Sequence, residues 1–365
     1  MVERGDFANF GGAFGARVKA LRARVKGEGV KSQGGVRMHQ GASLHCQTGF
    51  LPGRKHAGGM SLQAGISDNM PLRQEYEYDM KETVRRLRET LTPIYGRGEA
   101  EAMTRLIFHS LKGWTLSQML TNMDKELSPY MREQIDGILT RLRRHEPIQY
   151  ILGEARFYGM DFKVAPGVLI PRQDTEPLVD MIVAQNPQPD LRVADVCTGS
   201  GCIAIALARN LNFPEVTAID NSPTALAIAR ENGERLRARV KWVEEDVAQW
   251  RPAAGSLDII VSNPPYIDES ERAGLDANVR DWEPAEALFV PDSDPLKFYR
   301  IIADAGAKGL VAGGRLYLEI NPRHAEELRK LLEERGYQDI ALTRDPHGLL
   351  RYAACRRPGG GRDDA

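Results

Sequence analysis

Asn263-Pro264-Pro265-Tyr266 is the run of residues whose types most restrict the chemistry open to this chain. Two consecutive prolines remove two backbone donors and stiffen the loop. Such a loop offers acceptors inward: the side-chain oxygen of Asn263 and the carbonyl of Pro264. Two acceptors at that spacing can hold an NH2 group while its third direction faces an electrophilic methyl. Tyr266 adds a flat face on which a planar amide or base can lie. An amide nitrogen is a poor nucleophile, because its lone pair is delocalised into the carbonyl. Accepting its N–H bonds fixes its orientation and stabilises the positive charge that develops as a methyl transfers. Asn263, Pro264 and Tyr266 therefore read as catalytic residues, and Asn263, Pro264, Pro265 and Tyr266 together as the substrate-binding loop. The bland alternative is a proline-rich turn that closes a strand.

A second run, Asp195-Val196-Cys197-Thr198-Gly199-Ser200-Gly201, has the composition of a ligand-hugging loop, since glycines allow tight turns and close backbone approach. Gly199, Gly201 and Ala204 also satisfy the dinucleotide fingerprint G-x-G-x-x-A, so this run alone leaves a nicotinamide cofactor open. Asp220 follows at the end of the next apolar strand, where a carboxylate can accept from both hydroxyls of a ribose. Its duller role would be a charge ahead of Ser222 at a helix start. Asp246, after the third strand, is placed to accept from an adenine amino group, although Glu244 and Glu245 compete for that role. Cys46, Cys197, Cys202 and Cys355 form no C-x-x-C pair and have no histidine cluster beside them, so neither a metal site nor a disulfide framework is indicated. No Ser-His-Asp or Cys-His arrangement stands out, and His109, His145, His324 and His347 read as surface or packing residues.

The elements that must position these loops are legible downstream of residue 176. Short apolar strands at 192–196, 216–220, 241–243, 257–262 and 315–320 alternate with helices near 201–210, 222–237 and 298–311. Such alternation predicts a parallel sheet covered on both faces. Segments 339–343 and 349–355 follow one another without a helix between them, which predicts an antiparallel pair at the sheet edge. Residues 149–176, with Phe157, Tyr158, Phe162, Val164 and Val168 broken by Gly159 and Gly167, read as a linking hairpin. Between 80 and 148 the period is helical: Ser128-Pro129 is a cap and first-turn pair, and Ile135, Ile138, Leu139 and Leu142 fall on one face. Leu87, Leu91 and Ile94, with Leu106, Ile107 and Leu111, suggest further amphipathic helices. Residues 1–79 are rich in Gly, Ser, Gln and basic types and read as a disordered extension, apart from an amphipathic stretch at 14–25; 358–365 read as a disordered tail. The expected organisation is thus an extension at 1–79, a helical domain at 80–148, a hairpin linker at 149–176 and an α/β domain at 177–357.

With 49 Lys plus Arg against 50 Asp plus Glu, the chain lacks the charge of a protein built to wrap nucleic acid. Its longest apolar runs, such as 203–208 and 257–261, are too short to cross a bilayer, and no apolar signal segment opens the chain. A soluble cytoplasmic protein is the expectation.

In combination, Glu146-Pro147-Ile148-Gln149-Tyr150-Ile151-Leu152-Gly153, Val168-Leu169-Ile170-Pro171-Arg172-Gln173-Asp174-Thr175-Glu176, the glycine loop, and Asn263-Pro264-Pro265-Tyr266-Ile267 resemble the release factor glutamine methyltransferases of the HemK/PrmC type. Val279-Arg280, Glu283-Pro284 and Ala287-Leu288 are similar to the segment that follows the proline loop in that family. The resemblance spans roughly residues 80–356. It implies a class I S-adenosylmethionine-dependent methyltransferase domain, Rossmann-like with a seven-stranded sheet, behind a small N-terminal helical domain that recognises substrate. It further implies methylation of the side-chain N5 of the glutamine in the Gly-Gly-Gln motif of class 1 peptide-chain release factors. On that resemblance Cys197, Thr198, Gly199, Ser200, Gly201, Asp220, Asp246, Val247 and Asn263 line the S-adenosylmethionine site, and no metal is needed. Cys197 stands where the family usually has glycine, Val247 where it is often aromatic, and 290–294 replace a more glycine-rich turn. The rival readings are a glutamine methyltransferase of a ribosomal protein, an N6-adenine or N2-guanine nucleic-acid methyltransferase, a nicotinamide dehydrogenase, and a non-catalytic module that retains the cofactor. The stretch 172–176 favours the release-factor type over the ribosomal one, and nothing in the chain reads as a nucleic-acid domain.

Overall fold

Asp79 opens the first helix by accepting the Glu82 backbone N–H at 2.7 Å, which satisfies one of the donors a helix start leaves unpaired. The computed structural model describes residues 79–358; the expected extension at 1–79 and tail at 358–365 lie, but for their inner residues, outside them. Helix α1 (Met80–Tyr95) and helix α2 (Arg97–Lys112) are joined by Gly96, whose φ of 84° suits a residue without a Cβ. Helix α3 (Leu116–Thr121) starts in a capping box made by Thr115 and Gln118. Helix α4 (Pro129–Leu142) starts as its sequence suggests, with Ser128 accepting from Met131 N at 3.3 Å. The buried stripes Val84-Leu87-Leu91, Met103-Ile107 and Ile135-Ile138-Leu142 meet in one apolar core. A short helix α5 (Ile148–Leu152) leads into the hairpin β1 (Glu154–Phe157) and β2 (Met160–Lys163).

Helix α6 (Glu176–Gln185) precedes the main sheet, whose strands are β3 (Arg192–Val196), β4 (Glu215–Asp220), β5 (Val240–Glu244) and β6 (Leu257–Ser262), with helix α7 (Cys202–Asn210) and helix α8 (Pro223–Arg235) as crossovers. A small parallel pair, β7 (Ile267–Asp268) with β8 (Phe289–Val290), encloses the single turns α9 (Ala277–Arg280) and α10 (Ala285–Leu288). Helix α11 (Lys297–Gly309), β9 (Leu310–Glu319), helix α12 (Ala325–Glu334), β10 (Gln338–Arg344) and β11 (Leu350–Arg356) complete the chain. The strand order is β10-β11-β9-β6-β3-β4-β5, with β11 the strand that runs antiparallel to both its neighbours. The last two strands form an antiparallel pair at one edge of the sheet as expected, with β10 outermost and β11 between it and β9.

Strand periodicity divides the interior into two cores. Ala194, Val196, Ile260, Leu316 and Leu318 face α11 and α12, while Val193, Ile259, Val261 and Tyr317 face α6 and α7. Helices α6 and α12 have no counterpart among the segments the sequence singles out. In α6 the apolar residues surround the helix, which blurs the 3.6 period; in α12, Leu328, Leu331 and Leu332 supply the buried stripe. Strand β9 also starts five residues sooner than the 315–320 expectation, because it passes through the Gly313-Gly314 pair, with Gly313 at φ 77°. Among the described residues no helix is long and apolar enough to cross a membrane.

Candidate functional site

The carboxyl ends of β3, β4 and β6 converge on one cavity that opens to solvent. Open parallel sheets bind ligands at this edge, where the strand order reverses. Beneath the glycine loop lies Asp195, fully buried. Its Oδ2 accepts from Thr198 Oγ1 at 2.6 Å and from Ala204 N at 3.0 Å, pinning the loop to the first turn of α7. Among the described residues its Oδ1 has no partner, and burial pushes the carboxyl up to about 7. Cys197, Gly199 and Gly201 all have positive φ, at 61°, 55° and 79°. Cys197 therefore occupies a left-handed conformation that glycine accepts without strain, at a cost of about 1–2 kcal/mol for a residue with a Cβ. The thiols of Cys197 and Cys202 line the cavity, and burial pushes both up, Cys202 to about 12. They are held protonated and are poor nucleophiles.

Asp220 is fixed by two backbone donors, Gly199 N to Oδ2 at 2.8 Å and Ser222 N to Oδ1 at 2.9 Å. Burial raises this carboxyl while the Gly199 and Ser222 amides lower it. Asp220 thus braces the turn before α8 and also lies in the cavity wall, where each oxygen keeps a lone pair free of these two bonds. Cys197, Thr198, Gly199, Ser200, Asp246, Val247 and Asn263 are also in the wall. Gly201 is not among the wall residues; a Cβ there would lie 2.9 Å from the Trp242 ring on β5 and 3.1 Å from Ala229 on α8, so a glycine here lets both pack against the loop. Asp246 is exposed, its Oδ1 accepting from Ala248 N at 2.8 Å, and Val247 is buried.

The proline loop leaves β6 at the same edge, but its residues divide. Asn263 and Pro265 line the cavity, whereas Pro264 and Tyr266 are outside its wall. Tyr266 packs against the α11–α12 core and donates its hydroxyl to Glu319 Oε1 at 2.9 Å. Burial pushes that phenol well up, the neighbouring Glu319 charge adding to the shift. Asn263 donates from Nδ2 to Thr175 Oγ1 at 3.4 Å, and Thr175 donates to Glu319 Oε2 at 2.6 Å. Neither type nor spacing marks Thr175 and Glu319, each 2% exposed, as site residues. Glu319 reads in sequence as one more residue at the end of an apolar strand. Across the cavity, Ile170 N donates to Glu283 Oε2 at 3.1 Å, and Arg172 pairs with the other oxygen of that buried carboxylate. This joins the two motif segments 168–172 and 283–287 into one wall.

Comparison with known proteins gives two family matches: the PrmC N-terminal domain over residues 82–153 and a methyltransferase domain over residues 193–282. The chain is 45% identical to a release factor glutamine methyltransferase of Bacteroides thetaiotaomicron, over 74% of this chain and 98% of that protein. It is 38% identical to the Flavobacterium psychrophilum protein of the same name, over 71% and 93% of the two chains, and 33% identical to that of Escherichia coli, over 74% and 95%.

Proposed function

The chain belongs to the release factor glutamine methyltransferase family, and from that premise we propose that it methylates the side-chain N5 of the glutamine in the Gly-Gly-Gln motif of class 1 release factors, using S-adenosylmethionine, and so modulates translation termination in the cytoplasm. One observation carries this reading: Asn263 opens into the same cavity as Asp220 and the glycine loop. An amide-orienting acceptor and a ribose-type acceptor thus share one enclosure.

The cavity suits a nucleoside carrying an amino-acid tail. Asp220 offers two oxygens to a pair of ribose hydroxyls, and the loop 197–200 brings backbone close to the tail. Asp246 and Val247 close the side where an adenine would lie. When bound, S-adenosylmethionine supplies a methyl carried on a sulfonium, an electrophile that needs no metal. Asn263 Oδ1 accepts an N–H bond of the substrate amide, holds its plane, and stabilises the charge that grows on nitrogen, while Pro264, outside the cavity wall, stiffens the loop behind it. The proton of the methylated nitrogen is lost to solvent, since an amide oxygen such as Asn263 Oδ1 is too weak a base to keep it. Tyr266 contributes from behind the loop, since its hydroxyl is engaged by Glu319.

The test is transfer of a labelled methyl to three targets side by side: a class 1 release factor, the same factor with its Gly-Gly-Gln glutamine changed to alanine, and bulk DNA with ribosomal RNA. Label on the intact factor alone is expected. Label on nucleic acid, or equal label on both factors, would remove the proposed substrate.

A further inference from the structure

Asn263 must present a carbonyl oxygen, not its amide nitrogen, to an incoming N–H, yet the two branches of an asparagine amide are nearly the same size. Something has to choose between them. Glu319 sits at the end of β9; burial raises its carboxyl while the Arg351 charge and the Thr175 and Tyr266 hydroxyls lower it, and in the ionised form it can only accept. Its two oxygens take the Thr175 hydroxyl at 2.6 Å and the Tyr266 hydroxyl at 2.9 Å. Thr175 has thereby spent its one proton, so towards Asn263 it has only lone pairs to offer. Only the NH2 branch of Asn263 can answer, and it does so at 3.4 Å.

We propose that Thr175 and Glu319 are positioning residues that set the polarity of the Asn263 amide, so that Oδ1 is the branch offered to the substrate. This deepens the methyltransferase reading and rests on it for the identity of the substrate. The last link is long, and its value is direction more than energy. The same carboxylate also holds the loop from its far side. Tyr266 donates to it directly, Asn321 Nδ2 grips the Tyr266 carbonyl at 2.9 Å, and Tyr299 donates to the Glu319 carbonyl at 3.2 Å. Arg351 Nη1, at 3.4 Å from the Tyr266 oxygen, occupies a lone pair there, so the Tyr266 proton is committed to Glu319.

That commitment makes Glu319→Gln informative. The glutamine must keep its oxygen towards the Tyr266 proton, which turns its NH2 towards Thr175. Thr175 then accepts from it and donates its own proton to Asn263, which selects Oδ1 and swings Nδ2 out to the substrate. The variant inverts the relay where Thr175→Val merely cuts it.

The experiment measures turnover and Michaelis constants at saturating S-adenosylmethionine for wild type, Thr175→Val, Thr175→Ser, Glu319→Gln and the Glu319→Gln/Thr175→Val double variant. Alongside, NMR follows exchange of the Asn263 side-chain NH2 in the free protein, assigned with Asn263→Ala. We expect turnover to fall about tenfold in Thr175→Val, as for a lost orienting contact, and to recover mostly in Thr175→Ser. Glu319→Gln should lose more, on the order of fiftyfold, as for a donor aimed at the wrong partner. The double variant should return to the Thr175→Val level, because the inverted signal no longer reaches Asn263. A double variant worse than either single one, or unchanged turnover in Thr175→Val, overturns the proposal. If Glu319→Gln fails to fold, the valine and serine variants still decide. If the release factor is not a substrate at all, the NMR arm decides alone. One slowly exchanging Asn263 proton that is lost in Thr175→Val supports the relay, and identical exchange in both proteins refutes it.

Discussion

The two halves of the cavity are built differently. Asp220 is held by backbone amides, from Gly199 and Ser222, and it and the glycine loop come from two strand-loop-helix units adjacent in sequence. Asn263 is held by side chains, through Thr175 to Glu319, drawn from segments 88 residues upstream and 56 residues downstream (263 − 175 and 319 − 263). Backbone donors do not depend on side-chain identity, so the first half rests on main-chain shape, including the positive φ of Gly199. The second half fails with the loss of a single hydroxyl. The physical lesson is that binding a cofactor needs a correctly shaped main chain, whereas orienting a planar nitrogen needs a directed chain of donors and acceptors.

The sharpest way to break this contrast is Asn263→Ala. We expect turnover to drop by about a hundredfold or more, as when an oriented charge-stabilising group is removed, while titration calorimetry finds cofactor affinity little changed. Asp220→Ala should give the converse pattern. Losing hydrogen bonds to a charged acceptor, worth about 1.5–3 kcal/mol, weakens S-adenosylmethionine binding roughly 10- to 100-fold. Turnover at saturating cofactor should move far less. Were both variants to lose binding and turnover together, the two halves would not be separable.

Two smaller effects sharpen the account of the glycine loop. Asp195 is pushed up to about 7 in the folded protein from a usual value near 3.8. The native state then binds more protons than the unfolded chain between those limits, so stability falls as pH rises from about 4 to 7 and levels off above. Asp195→Asn should remove this contribution. Urea denaturation at pH 5 and pH 8 should show a smaller pH-dependent difference in the variant than in wild type, and an equal difference would put the titration elsewhere. Cys197→Gly relieves the positive-φ strain but loosens the unfolded chain, for a net gain of about 0.5 kcal/mol. A thermal melt should therefore shift up by a degree or two, with methyl transfer kept; a clear downward shift would mean the Cys197 side chain stabilises more than its backbone costs.

Much of the architecture was readable in advance. The β3 and β6 strands fall at the expected residues, because a buried parallel strand is a short apolar run bounded by turn residues. The Ser128 and Ser222 caps were equally plain, since a hydroxyl before a proline is a local signal. No local signal marks helices α6 and α12, and no local pattern specifies that β11 pairs with β9. Register between distant strands is a property of the assembled sheet. Tyr266 is the clearest case among the site residues. Its type suggested a platform for a planar substrate, but its hydroxyl is drawn behind the loop by Glu319, a partner no spacing rule connects to it.

What the sequence determined alone is the inventory and its local geometry: an acceptor-rich proline loop, a glycine turn at a strand end, a carboxylate on the following strand, and the caps that start the helices. These depend on φ preferences, missing donors and periodicity, which act over a few residues. The direction in which the Asn263 amide points was decided only in three dimensions. A hydrogen bond has a donor and an acceptor end, and which end faces the cavity depends on the carboxylate that closes the chain, 56 residues away on another strand (319 − 263).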